Sequence, residues 1–155
     1  MKWIVTGISI AVVVAGVWIW QGDESGTPPV ELPSVKATAL YDPACGCCGE
    51  HIAYMETTGL AVETQTTTNM AAVKDELGVP DGFASCHTTI VEGYVVEGHM
   101  PSEAIAKLLD ERPDIVGISL PGMPAGSPGM SGVKNETWVI YALEHDGSTS
   151  VFLEI

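Results

Sequence analysis

Hydrophobic and polar positions divide the chain into three zones. From Trp3 to Trp20 the sequence is apolar and uncharged for 18 residues, flanked by Lys2 and by Asp23-Glu24. A run of that length can cross the hydrocarbon core of a bilayer. Its exit, Val17-Trp18-Ile19-Trp20, is bulky where a cleaved signal peptide carries small residues, and two Trp suit a membrane interface. No cysteine stands nearby to take a lipid. Residues 1–20 therefore read as an uncleaved anchor with its N-terminus in the cytoplasm, a cleaved signal being the alternative; either exports the remainder. Residues 21–35 are rich in Gly, Pro, Asp, Glu and Ser, show no core period and read as a flexible tether.

The folded domain is expected over 36–155. Lys36 to Tyr41 reads as a short strand ending at the Asp42-Pro43 turn. Cys48 to Thr58 reads as a helix, with Ile52, Tyr54 and Met55 as its apolar stripe and Gly59 at the C-cap position. Leu60 to Thr66 alternates as a strand. Asn69 caps a helix through Leu77, closed by Gly78 and Pro80. Thr88 to Glu97 carries two β-branched runs around Glu92-Gly93, a hairpin by its turn chemistry. Pro101 opens a helix carrying Ile105, Leu108 and Leu109 that stops before Pro113. Trp138 to Glu144 and Ser150 to Ile155 form a last hairpin through His145-Asp146-Gly147-Ser148. The order strand–helix–strand–helix–strand–strand–helix is that of the thioredoxin fold, giving an α/β, thioredoxin-like domain with an added C-terminal β-hairpin, behind the N-terminal transmembrane or signal segment.

Charge narrows the partners. The net charge is −14, and beyond residue 35 five basic residues face seventeen acidic ones. Phosphate binding needs Lys and Arg, so nucleic acid is excluded as a partner; an acidic surface favours cations. No nucleotide-binding glycine fingerprint, Walker loop or nucleophile elbow is present.

The chemistry is concentrated in Cys45-Gly46-Cys47-Cys48, with the fourth cysteine in Ser85-Cys86-His87-Thr88. Three thiols within four positions make a poor disulfide framework, because each bridge needs a defined Cα separation. They make a good soft-metal site, for Cu(I), Zn(II) or an iron–sulfur centre. A helix starting at this loop favours the thiolate form. A reversible Cys45–Cys48 disulfide, at C-x-x-C spacing, is compatible with metal release. In an extended segment Cys86 and His87 would point to opposite faces, so joint binding requires a backbone turn, which Asp81-Gly82-Phe83-Ala84-Ser85 could supply. His99 stands at the hairpin exit, either as a ligand or bonded around the next helix's N-terminus. Met123 and Met130 lie in a loop with three Pro and four Gly between Pro121 and Gly132; thioethers there suit Cu(I) and not zinc, and gap-filling is the alternative. Met55 and Met70 read as core and His145 as solvent-exposed.

The motifs Cys45-Gly46-Cys47-Cys48, Ser85-Cys86-His87-Thr88, Gly93-Tyr94-Val95-Val96-Glu97-Gly98-His99 and Pro121 to Met130 stand together in order. In this the chain resembles the CopG family of exported bacterial copper-resistance proteins, long catalogued as a domain of unknown function, over about residues 36–155. The resemblance implies a thioredoxin-like domain that binds copper through its cysteines and works outside the cytoplasm in copper tolerance. His51 departs from it, since such proteins more often carry Trp there, and so does not carry over as a family-wide ligand.

The first reading is a periplasmic copper-binding protein tethered to the inner membrane through residues 3–20. Cys45, Cys47, Cys48 and Cys86 are its core ligands, joined by His87, Met123, Met130 and His99. It holds Cu(I), with cycling to Cu(II) as a redox extension, and other periplasmic copper-handling proteins are the expected partners. A thiol–disulfide oxidoreductase using Cys45 and Cys48 is a second reading and a structural zinc site a third.

Overall fold

A computed structural model describes residues 28–155; the expected anchor at 1–20 lies outside them. Among the described residues no helix is long and apolar enough to cross a membrane. The architecture of the described residues is mixed α/β: one seven-stranded sheet and three α-helices. In chain order these are β1 (Lys36–Tyr41), α1 (Cys48–Thr57), β2 (Ala61–Thr66), α2 (Met70–Glu76), β3 (Thr88–Val91), β4 (Tyr94–Glu97), α3 (Ser102–Glu111), β5 (Gly117–Ser119), β6 (Val139–Leu143) and β7 (Thr149–Glu154). A short 3₁₀ turn, Asp81–Phe83, precedes β3. The strand order is β2-β1-β3-β4-β5-β6-β7.

The parallel pairs follow from their connections. β1 pairs with β2 in parallel through α1, and β4 with β5 through α3, since a parallel neighbour needs a crossover. β3 and β4 are joined by a two-residue turn in which Glu92 and Gly93 both have positive φ (51° and 89°), as a tight hairpin matched to strand twist requires. Helix α3 ends with Arg112 in the left-handed conformation just before Pro113, whose ring cannot continue the helix.

Successive strand residues face opposite sides. Val91 and Val96 join the main core, where Ile52 and Met55 of α1 meet Ala104, Ile105 and Leu108 of α3 together with Ile118 and Ile140. Ile90 and Val95 face a smaller cluster with Leu77, Val79, Phe83 and Leu143. Packing begins before the first strand: Leu32 is buried in the main core, its N–H donates to the Thr58 carbonyl (2.6 Å), and the Val30 N–H donates to Ser102 Oγ (2.8 Å).

Two departures from the sequence reading have simple causes. Strand β5 was not expected, because three residues, one of them Gly117, carry no readable alternation. The glycine is required there: a Cβ at 117 would sit 1.9 Å from the Val95 carbonyl oxygen of β4. Met70 is half-buried at the start of α2 instead of in the core.

Candidate metal centre

The centre forms where β1 hands over to α1 and where the chain enters β3. Cys47 is the N-cap residue of α1 and Cys48 its first residue, so the loop from Asp42 must turn sharply. Asp42 makes that turn, accepting the Ala44 N–H on its carboxylate (2.8 Å) and the Cys45 N–H on its carbonyl (2.8 Å). Cys45 and Cys48 are joined in a disulfide, with Cα atoms 5.6 Å apart. Cys47 and Cys86 are free. The pairing is the C-x-x-C one.

Cys86 arrives from the other side of the centre. The chain bends at Cys86, two residues before β3, so Cys86 and His87 do not alternate as strand residues do. Cys86 Sγ lies 3.2 Å from His87 Nδ1 and 3.1 Å from His99 Nε2. His99 follows β4, the partner strand of β3, which brings it level with Cys86. Gly98 permits this approach: its φ is +86°, and a Cβ added there would sit only 2.8 Å from Ser85 Cβ.

The four Cys Sγ atoms lie within 4.8 Å of one another, and so do the ligand atoms of Cys86, His87 and His99. Cys86 belongs to both groups. Cys47 Sγ is 3.8 Å from Cys45 Sγ, 4.0 Å from Cys86 Sγ and 3.9 Å from Met123 Sδ. Met123 is half exposed, on the rim. Met130 is half-buried farther along the same loop, its N–H on the Ser127 carbonyl (2.8 Å). Of the two thioethers, only Met123 is brought against a thiol among the described residues. His145 is exposed on the far hairpin, 3.2 Å from Asp114.

The sequence reading missed His51. It is fully buried, with Nδ1 2.8 Å from His87 Nε2 and Nε2 3.0 Å from the Met100 carbonyl oxygen. The three rings of His51, His87 and His99 have centroids within 5.0 Å of one another. A signal existed: His51 is four residues after Cys47 and three after Cys48, hence on the same helix face. The Pro121–Gly132 loop closes over this cluster. The Pro128 carbonyl accepts from His99 Nδ1 (2.7 Å), and at Gly129 (φ +78°) a side chain would begin 2.5 Å from the backbone nitrogen of His51.

A second polar group, buried Glu97, underlies the centre. It accepts from Lys74 Nζ of α2, from Thr88 Oγ1 and, at 2.6 Å, from the Ser85 N–H; Lys74 Nζ also donates to Thr88 Oγ1 (3.1 Å). This carboxylate therefore fixes the backbone one residue before Cys86.

Burial sets the protonation of the metal-free centre. It lowers His51 to about 4, with the nearby His99 adding to the effect, and His87 to about 2, helped by His51, His99 and Lys74. His99 is also pushed down by burial. Burial, and then the neighbouring Cys47, raises Cys86 to about 11. All three imidazoles are neutral at pH 7, and the Cys86 thiol is protonated until a cation displaces its proton.

These shifts carry an acid lability. The buried imidazoles stay neutral while the unfolded chain takes up protons near pH 6.5, so their contribution is complete above 6.5 and is lost as pH falls, towards 4 for His51 and towards 2 for His87. The loss from His51 alone is on the order of 3 kcal/mol across that window. Urea unfolding of the metal-free protein at pH 7 and pH 4.5 should show a lower midpoint in acid. His51→Phe should flatten the dependence by about one proton. Equal midpoints at the two pH values would mean that water reaches the imidazoles.

The donor set fits a soft metal. Thiol sulfurs, neutral imidazoles and a thioether meet at one place, and no carboxylate belongs to either ligand group. Comparison with known proteins agrees. Residues 83–130 match a family model described as a protein of unknown function, DUF411. A search of curated proteins found no match. Two solved structures are similar at 40% identity, covering 79% of this chain and 98% of theirs: copper resistance protein CopG in Form 1 (TM-score 0.72) and in Form 2 (TM-score 0.73). With four cysteines gathered as its motifs implied, and identity at that level over most of its length, the chain belongs to the CopG family of copper resistance proteins.

Proposed function

We propose that this protein binds copper outside the cytoplasm as part of copper resistance, holding Cu(I) in a cluster of Cys45, Cys47, Cys48 and Cys86. The observation that carries this reading is the convergence of four Sγ atoms with two imidazoles on the shared Cys86. Met123 extends the set towards solvent, and a thioether ligand favours Cu(I) over Zn(II). Met130, half-buried on the same loop, is a further candidate. The two names above, copper resistance protein CopG, point the same way. The succession β1-α1-β2-α2-β3-β4-α3, with the cysteine loop between β1 and α1, supports a thioredoxin-like core to which β5, β6 and β7 are added. A periplasmic location, tethered by residues 3–20, remains part of the proposal on the strength of the sequence.

The disulfide makes the capacity of the site depend on redox state. Closed, it leaves two thiols. Two electrons and two protons from a thiol reductant open it to Cys45-SH and Cys48-SH and complete the set of four. The same bond favours a second reading, a thiol–disulfide oxidoreductase attacking through Cys45 or Cys48.

Anaerobic titration with Cu(I) against a chromophoric Cu(I) chelator separates these readings. The reduced protein is expected to hold copper that the disulfide form releases, with sulfur-dominated scattering at the copper edge. A reduced protein that keeps no copper, yet passes electrons to insulin disulfides, would overturn the copper reading. Tight Zn(II) binding unaffected by Met123→Ala would favour a structural zinc site instead.

A further inference from the structure

We infer that His51 is a positioning residue: anchored on the Met100 carbonyl, it holds His87 in the Nε2–H tautomer and so aims the Nδ1 lone pair of His87 at Cys86. The hydrogen bonds leave one assignment for neutral rings. A carbonyl oxygen only accepts, so His51 Nε2, 3.0 Å from the Met100 oxygen, carries its ring's proton. His51 Nδ1 is then a lone pair, and His87 Nε2 at 2.8 Å must donate to it. That leaves His87 Nδ1 without a proton, 3.2 Å from Cys86 Sγ.

His99 is set the same way by a different carbonyl. Its Nδ1 donates to the Pro128 oxygen, which turns the Nε2 lone pair onto the same sulfur at 3.1 Å. Two imidazole lone pairs thus converge on one Cys86 thiol, which has a single proton to give. A soft cation replacing that proton meets three donors already turned inward. Groups that orient a ligand through its second nitrogen typically raise metal affinity 10–100-fold, and His51 does this from the interior of α1, where it is fully buried.

The tautomer assignment rests on the hydrogen bonds alone, and its effect on copper rests on the function proposed above. The test uses the full chain in mild detergent, labelled with ¹⁵N-histidine, reduced and metal-free. Long-range ¹H–¹⁵N correlation is expected to show His87 as Nε2–H and both His51 and His99 with the protons given above. In His51→Phe, His87 should lose this single form and Cu(I) affinity should fall 10–100-fold. His51→Gln offers an amide donor and acceptor in place of the ring and should keep both properties within a few-fold. A wild-type His87 protonated on Nδ1 overturns the inference without any variant. So does a folded Phe variant with unchanged affinity, or a Gln variant that falls as far as Phe. A chain that binds no copper while His87 stays Nε2–H supports the positioning role and overturns the copper reading instead.

Discussion

Cys86→Ser is expected to lower the Cu(I) affinity of the reduced protein by more than about 100-fold, since losing a group that merely supports a ligand already costs 10–100-fold. Cys86 Sγ is the atom shared by the four-thiol group and by the group containing His87 and His99, so its removal depletes both. Serine has nearly the same shape but a hard oxygen, a poor match for Cu(I). Cys47→Ser should also weaken binding, because Cys47 stands between Cys45, Cys86 and Met123. Chelator competition on both variants, with circular dichroism to verify the fold, measures this. The Cys45–Cys48 pair survives in each. If both variants bind copper as the parent does, and any disulfide exchange is retained, the two remaining cysteines alone define the function.

Lys74→Met is expected to destabilise the fold by about 3–5 kcal/mol, the typical cost of removing one partner of a buried ion pair. Lys74 is 8% exposed and Glu97 fully buried, so Glu97 would keep a carboxylate with only the Ser85 N–H and the Thr88 hydroxyl as donors. Adding Glu97→Gln should recover most of the loss. The amide removes the charge while its oxygen can still accept from Ser85. Urea unfolding at pH 7 of the parent, the single and the double variant reads this directly. A single variant within about 1 kcal/mol of the parent would show that the site admits water, against the burial on which the expectation rests. The single variant should also bind copper less tightly, because Glu97 fixes the backbone leading into Cys86.

Local signals in the sequence accounted for much of the fold. The Glu92-Gly93 turn, the stop before Pro113 and the Asn69 cap each depend on neighbours in the chain, and the structure places all three as expected, with Asn69 Oδ1 accepting the Ala72 N–H at 3.4 Å. What escaped depends on partners far away in sequence. Strand β5 exists because β4 and β6 flank it, with Val96 and Ala142 opposite Ile118. His51 did not carry over as a family-wide ligand, and its partners lie 36 and 49 residues on. Nothing local to Met70–Glu76 singles out Lys74, because the carboxylate that receives it is 23 residues away. The cysteine loop was legible as a metal or redox element from spacing alone. The inward turn of Cys86 beside His87 was not, because strand alternation opposes it until the backbone bends.

The stretch from Val30 to Leu32 ties the N-terminal side of the domain to the end of α1, through Thr58, and to the start of α3, through Ser102. Any pull on the chain from its N-terminal side is therefore taken up first by a clasp across two helices, while β1 lies behind it in the sheet with neighbours on both edges. The packed part of the chain accordingly includes Val30 and Leu32. A version cut at the first strand would expose the apolar patch that Leu32 covers, whereas one cut ahead of Val30 keeps the clasp shut and the sheet, with its cysteine loop, undisturbed.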